Sequence, residues 1–278
     1  MIQIWNTLLV YPLTNALVGL DRLTGSLGWA IVIFTVLIKL AMTPVVFQSL
    51  RLTKKMQDLA PELKKLKEDF KDNKQGLALA QAELYKKHGA NPASGCLPQI
   101  IPLLILFALL SVLNTFLLTN PSSLVSTLNT RLYSFNQLPP EYKISTTFYT
   151  LNLTKPDLIP VSGLPFNLKG LPGILVILSA LVQFLSSKMM LPAVKKQEKL
   201  AKKTSDSTDD IMASSQEQML YMFPLMTLVF GYQFPAGLVI YWFLFSAINM
   251  IQQYFAVGWG GLTPWLQRLN LLKSPHHD

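Results

Sequence analysis

Lys39 is the one charged residue in the apolar run from 27 to 48, and Thr35 and Thr43 stand four residues to either side of it. On a helix, spacings of four put all three side chains on one face. A lysine held in hydrocarbon costs about 2.5 to 3.5 kcal/mol on insertion scales. Two arrangements relieve that cost: the side chain snorkels to the headgroups, or its face borders a water-filled cavity. Gln183 and the series Ser246, Asn249 and Gln253, spaced by three and four with Trp242 one turn earlier, could supply the facing walls of such a cavity. Residues of these types also serve as hydrogen-bond partners between membrane helices. The chemistry on offer is solvation and charge attraction rather than bond cleavage. No Gly-rich phosphate loop, HExxH, GxSxG or paired His/Asp/Glu constellation occurs in the apolar runs, so neither an enzyme nor a cofactor is expected. Cys96 is the only cysteine and forms no internal disulfide, no Cys/His set is spaced for zinc, and the tail residues His276 and His277 are assigned no metal.

Those polar residues need elements to hold them. Of 278 residues, 50% are hydrophobic and only 14% charged, against about 25% charged in soluble proteins. Mean hydropathy is +0.34. This balance excludes an ordinary soluble protein and implies several spans of about 20 apolar residues. Spans are expected at 27 to 48, 97 to 118 and 172 to 190. The stretch 216 to 257 would measure about 63 Å as one helix, twice a hydrocarbon core of about 30 Å. The turn residues Gln233 to Gly237 divide it into spans at 216 to 233 and 237 to 257. Residues 1 to 24 carry an apolar stripe through Trp5, Leu9, Leu13, Leu17 and Leu20, with Asn6, Thr7, Thr14 and Asn15 on the other side. This predicts an amphipathic helix lying in the membrane interface; a first span kinked at Pro12 is the alternative.

Residues 49 to 92 hold ten Lys/Arg and six Asp/Glu and belong in water. Met56, Leu59, Leu63, Leu66 and Phe70 recur there at helical spacing, and the KDNKQG break predicts a helical hairpin with one apolar seam. Residues 119 to 171, rich in Pro, Ser, Thr and Asn, read as a loosely structured loop. Residues 191 to 215 read as a charged linker with a disordered TSDSTDD centre, and 258 to 278 as a short tail. The segments 49 to 92, 188 to 218 and the tail together hold 18 of the 24 Lys/Arg, against five in the N-terminal stretch and the 119 to 171 loop. The positive-inside rule therefore puts the N-terminus outside, with hairpin, linker and C-terminal tail in the cytoplasm.

Four segments carry a resemblance: FTVLIKLAMTPVVFQ (34 to 48), MQDLAPELKKLKEDFKDNKQ (56 to 75), LYKKHGANPASGCLP (84 to 98) and FPAGLVIYWFLFSAINMIQQ (234 to 253). In order and spacing they resemble the YidC/Oxa/Alb family of membrane protein insertases, over most of residues 1 to 257. The resemblance implies an all-α integral membrane protein of the bacterial cell membrane, with five transmembrane helices around a hydrophilic groove. That groove opens to the cytoplasm and lipid and is closed toward the outside, with a helical cytoplasmic hairpin at its mouth. The groove cation, typically arginine in the family, falls on Lys39. Lysine keeps the charge but loses the bidentate fork for carboxylates. Thr35, Gln183 and Trp242 fall on other groove-lining positions, while the second span, CLPQIIPLL, departs from the family's usual pattern.

The expected function is that of an insertase and chaperone, passing hydrophobic segments of newly made proteins from the cytoplasm into the bilayer without nucleotide hydrolysis. Expected partners are nascent membrane proteins and the lipid bilayer, with a Sec-type translocon and a ribosome left open and no specific nucleic acid. Met56, Leu59, Leu63 and Leu66 are the expected client-contacting seam of the hairpin. A small transporter or channel using the same polar stripe is the rival, and a structural partner of a larger translocon a third reading.

Overall fold

A computed structural model describes residues 2–70, 73–89, 97–119, 121–161, 170–190 and 208–272. Cys96, His276, His277 and residues 204–207 of the linker centre lie outside the described residues, whereas its last three residues, read from sequence as disordered, are the first turn of a helix that begins at Thr208 and covers the linker from there to 215. In chain order the helices are α1 (Ile2–Trp5), α2 (Tyr11–Thr24), α3 (Leu27–Asp58), α4 (Ala60–Asp69), α5 (Lys74–Lys87) and α6 (Leu97–Leu118). They are followed by α7 (Pro121–Asn129), α8 (Ile174–Met190), α9 (Thr208–Gly231), α10 (Ala236–Val257) and α11 (Thr263–Arg268). Two short antiparallel pairs complete the fold, β1 (Thr147–Phe148) with β2 (Leu151–Asn152) and β3 (Leu158–Ile159) with β4 (Leu171–Pro172). The protein is mostly helical. Among the described residues two helices are long and apolar enough to cross a membrane, α3 over Leu27–Arg51 and α10, while Ile174–Met189 and Leu220–Gly231 are shorter apolar helices.

Contacts divide the chain into two compact units: Met1–Met42 with Ile100–Val182 and Pro224–Ile248, and Thr43–Gln99 with Gln183–Phe223 and Asn249–Asp278. The boundary falls inside α3, α6, α8, α9 and α10. The first unit packs around Leu17, Ile31, Leu109, Leu113, Leu128 and Leu238, all essentially inaccessible. Close packing between apolar helices stabilises through many small van der Waals contacts.

The first helix is α-helical apart from one π turn, Asn6–Val10, and ends where Gly25 adopts a left-handed φ of +67° and donates its N–H to the Asp21 carbonyl. Leu13 and Leu17 of its apolar stripe are buried within the protein. On its polar side Thr7 is exposed and Asn6 half-buried, but Thr14 and Asn15 are buried. Asn15 accepts from the Tyr133 N–H at 2.8 Å and donates to the Arg131 carbonyl at 3.0 Å. Asn136 donates to the Asn15 carbonyl at 2.8 Å.

The segment expected as a loose loop is structured over 121–161. Asn129 makes reciprocal bonds to the backbone of Leu138, donating at 2.8 Å and accepting at 2.9 Å. Tyr142 donates to Asp21 Oδ2 at 3.0 Å, and the other carboxylate oxygen of Asp21 is buried without a partner. Burial raises the Asp21 carboxyl above its ordinary value, and the Tyr142 bond only partly offsets this. Burial together with the Asp21 charge pushes Tyr142 up to about 12.

This segment also supplies partners for the orphan N–H groups at two helix starts. The N–H groups of Ala236 and Gly237 at the head of α10 donate to the carbonyls of Lys155 and Leu153 at 2.8 and 3.0 Å. Asp157 accepts from Leu175 N–H at 3.1 Å at the head of α8. Gly173 is required beside it, because a Cβ there would lie 2.1 Å from the Asp157 carboxylate.

In the second unit α3 continues as one helix through Asp58, past Pro44, so the apolar run and the first part of the polar segment share a helix. Helices α4 and α5 pack against each other as the expected hairpin. Asn73 begins α5 by accepting the Gly76 N–H at 2.9 Å.

Candidate functional site

In the first unit, α3 points Thr35 and Lys39 inward and Val36, Leu37 and Leu40 outward. Thr35 is fully buried and donates to the Ile31 carbonyl at 2.7 Å, which satisfies its hydroxyl within its own helix. Lys39 is only 1% exposed, and its Nζ lies 3.6 Å from the centroid of the Phe245 ring on α10. A cation over an aromatic face is stabilised by about 2 kcal/mol or more when desolvated. The ammonium is thus directed to the unit's interior. Ser246 on α10 is buried, and Trp242 is half-buried with its ring 6.3 Å from that of Phe234.

Phe245 and Tyr241 were not singled out by sequence. Both read there as ordinary apolar residues of a span, yet their rings pack 5.7 Å apart and the Tyr241 hydroxyl is buried without a partner. Thr227 on α9 and Ser179 on α8 are likewise buried. Ser179 bonds back to the Leu175 carbonyl at 2.7 Å. The first unit therefore holds a cation, an aromatic ring facing it, and several buried hydroxyls among apolar side chains.

In the second unit a polar cluster forms between neighbouring helices. Gln252 donates to Thr43 Oγ1 at 3.0 Å. Ser186 donates to Gln253 Oε1 at 3.1 Å, and Asn249 to Ser186 Oγ at 3.4 Å. The Gln253 amide nitrogen is buried with no partner. Gln183 lies half-buried one turn before Ser186 on α8. Asn249 and Gln253 are thus joined through Ser186, and Thr43 is paired separately with Gln252. Ser186 and Gln252, the cluster's other members, were missed, although the Gln183 to Ser186 spacing of three and the adjacency of Gln252 to Gln253 were visible. The cluster's members bond across helices, and the Gln253 amide nitrogen is left as an unused donor.

At the hairpin, Leu59 is 4% exposed and Leu63 and Leu66 are half-buried, while the Met56 side chain lies outside the described residues. Leu59 is therefore occupied in helix packing. Leu79 on α5, 68% exposed, is the apolar side chain this hairpin does present outward.

Comparison with known proteins gives these positions a context. Residues 19–258 match the family described as 60Kd inner membrane protein. The chain is 32% identical over 235 residues to the membrane protein insertase YidC of Fusobacterium nucleatum, covering 84% of this chain and 88% of that protein. Over 261 residues it is 30% identical to membrane protein insertase YidC 2 of Bacillus anthracis, covering 92% and 82%. With the membrane protein insertase YidC of Pelobacter propionicus it shares 28% identity over 254 residues, 90% of this chain but 39% of that longer protein.

Proposed function

Because the chain belongs to the 60Kd inner membrane protein family, we propose that it is a membrane protein insertase and chaperone of a bacterial membrane, taking hydrophobic segments of newly made proteins from the cytoplasm into the bilayer. The observation that carries this reading is the similarity along nearly the whole chain to relatives named as insertases. Its substrates are nascent membrane proteins and its medium is the lipid bilayer. It acts alone or beside a Sec-type translocon and ribosome, and it hydrolyses no nucleotide.

The finer reading comprises five spans, on α3, α6, α8, α9 and α10, with the N-terminus outside and the α4 and α5 hairpin, the linker and the C-terminal tail in the cytoplasm. The groove is lined by Thr35, Lys39, Thr43, Gln183, Trp242, Ser246, Asn249 and Gln253. The buried positions of Lys39 and of the cluster around Ser186 support it, because buried polar groups retained in membrane helices have functional work to do. An apolar segment of about 20 residues gains free energy on entering lipid, and its polar flank is what needs help across. Lys39 attracts an acidic flank, and the membrane potential adds about 2.3 kcal/mol per charge per 100 mV. In the structure the Phe245 ring lies over the ammonium, and in this reading a client's carboxylate displaces it there.

Site-specific crosslinking tests the groove. A photoreactive residue replacing Trp242 or Gln183 should capture a stalled nascent chain through its apolar segment, whereas one replacing the outward-facing Ile174 should capture little. Equal capture from all three positions, or none from Trp242 and Gln183, contradicts the groove.

A further inference from the structure

The turn between β1 and β2 carries a tyrosine in a backbone conformation that tyrosine rarely adopts. Phe148 pairs with Leu151, which leaves Tyr149 and Thr150 as the two turn residues. Tyr149 has φ +51°. Tight hairpin turns that require positive φ ordinarily place glycine, asparagine or aspartate there, and a bulky side chain at such an angle is strained. Nothing inside the protein repays the strain by burial, since Tyr149 is 80% exposed.

The surroundings of that ring say what it meets. Tyr149 stands edge-on to Phe148 at 4.9 Å, and Phe148 stands edge-on to Trp29 at 5.6 Å. Phe148 also occupies the space over Gly28, where a Cβ would come within 2.1 Å of its ring. Gly28 and Trp29 belong to the first turn of α3, whose Leu27–Arg51 stretch is the longer of the two membrane-length apolar helices among the described residues. The three rings therefore step outward from the rim of a membrane span. Tyrosine and tryptophan favour the headgroup level, where an apolar ring and a polar edge are both satisfied. Lys143 and Lys155, both exposed, flank the hairpin with positive charge for lipid phosphates.

We propose that the hairpin over residues 147–152 is a membrane-interface anchor whose Tyr149 inserts into the lipid headgroup layer at the Leu27 end of α3, alongside Trp29. The anchor rests on α3 being a membrane span and is independent of which way the protein faces. It fixes the level at which α3, and with it Lys39, sits in the bilayer.

Depth-dependent fluorescence quenching tests this. In a Cys96→Ser background, Thr150→Cys carries an environment-sensitive fluorophore at the turn and leaves Tyr149 in place; a separate Leu37→Cys carries the same fluorophore on the outward face of α3. The labelled full-length proteins are placed in vesicles of phosphatidylcholine and phosphatidylglycerol with spin-labelled lipids, quenching either at the headgroup or deep in the acyl chains. The expected result is about twofold quenching at position 150 by the headgroup quencher, little by the deep one, and the reverse at position 37. Adding Tyr149→Gly, which relieves the backbone strain and so should not unfold the turn, should abolish most of the quenching at position 150. An unquenched position 150 beside a deeply quenched position 37 overturns the anchor alone, as does quenching at 150 that survives Tyr149→Gly. A position 37 that no lipid quencher reaches overturns the span, and the anchor with it.

Discussion

Lys39→Ala is expected to lower insertion of clients whose translocated tail carries Asp or Glu by about tenfold, while clients with a neutral tail lose little. Tenfold in rate corresponds to about 1.4 kcal/mol. That is a modest share of the attraction between opposite charges about 4 Å apart at an effective dielectric of 20, about 4 kcal/mol. Only the acidic tail gains that attraction, whereas both kinds of tail cross the same residual apolar barrier. Lys39→Arg should preserve or improve insertion, because guanidinium stays charged, is more weakly hydrated and stacks on an aromatic face such as that of Phe245. A lysine that merely snorkelled would make the alanine variant harmless, since an awkward charge would be gone from the span. The burial of Lys39 and the 3.6 Å approach of its Nζ to the Phe245 ring favour the interior role. Protease protection of matched acidic and neutral clients decides, and undiminished insertion of both by the alanine variant would retire the groove-cation idea.

Removal of the hairpin is expected to have the largest effect. Deleting residues 60 to 87, which removes α4 and α5 and spares α3 through Asp58, should reduce insertion to background while the protein remains in the membrane. The expectation follows from the hairpin's amphipathic build: ten Lys/Arg and six Asp/Glu across residues 49 to 92 keep it in water, yet half-buried Leu63 and Leu66 and outward-facing Leu79 offer apolar contact. Such a surface suits transient contact with an apolar segment before it reaches lipid. Leu63→Ser with Leu66→Ser should give a partial loss, and Leu59→Ser should act through folding, because Leu59 is buried. Membrane fractionation with the protease-protection assay checks this. A correctly localised deletion variant with full activity would remove the hairpin from the account.

Helices and their polar interruptions were legible because periodicity is a local property. The seam at Leu59, Leu63 and Leu66, the turn that ends at Pro235 before α10 and the break before α5 all emerge from neighbours within a few residues. Asn15 was misread for the opposite reason. Its partners at Arg131, Tyr133 and Asn136 lie more than a hundred residues away, so a side chain satisfied by a distant backbone looked like one facing water. The same distance hid the order of the segment 121–161, whose carbonyls at Leu153 and Lys155 serve the head of α10. At the candidate site, Lys39 declared itself by being the only charge in its span. Phe245 did not, since one phenylalanine among many in an apolar helix carries no signal until a cation is seen over its ring. Ser186 and Gln252 were hidden differently: each is common in membrane helices, and only their bonds to Gln253 and Thr43 set them apart.

Reconstitution measures most directly whether this chain by itself moves a polar flank across a bilayer. Purified protein in vesicles free of any translocon or nucleotide should bring a short-tailed, single-span client to a protease-protected state well above protein-free vesicles, without rendering those vesicles permeable to ions or small solutes. Insertion no better than in protein-free vesicles, or solute flux in place of insertion, would contradict the account and turn attention to a transporter built on the same polar stripe.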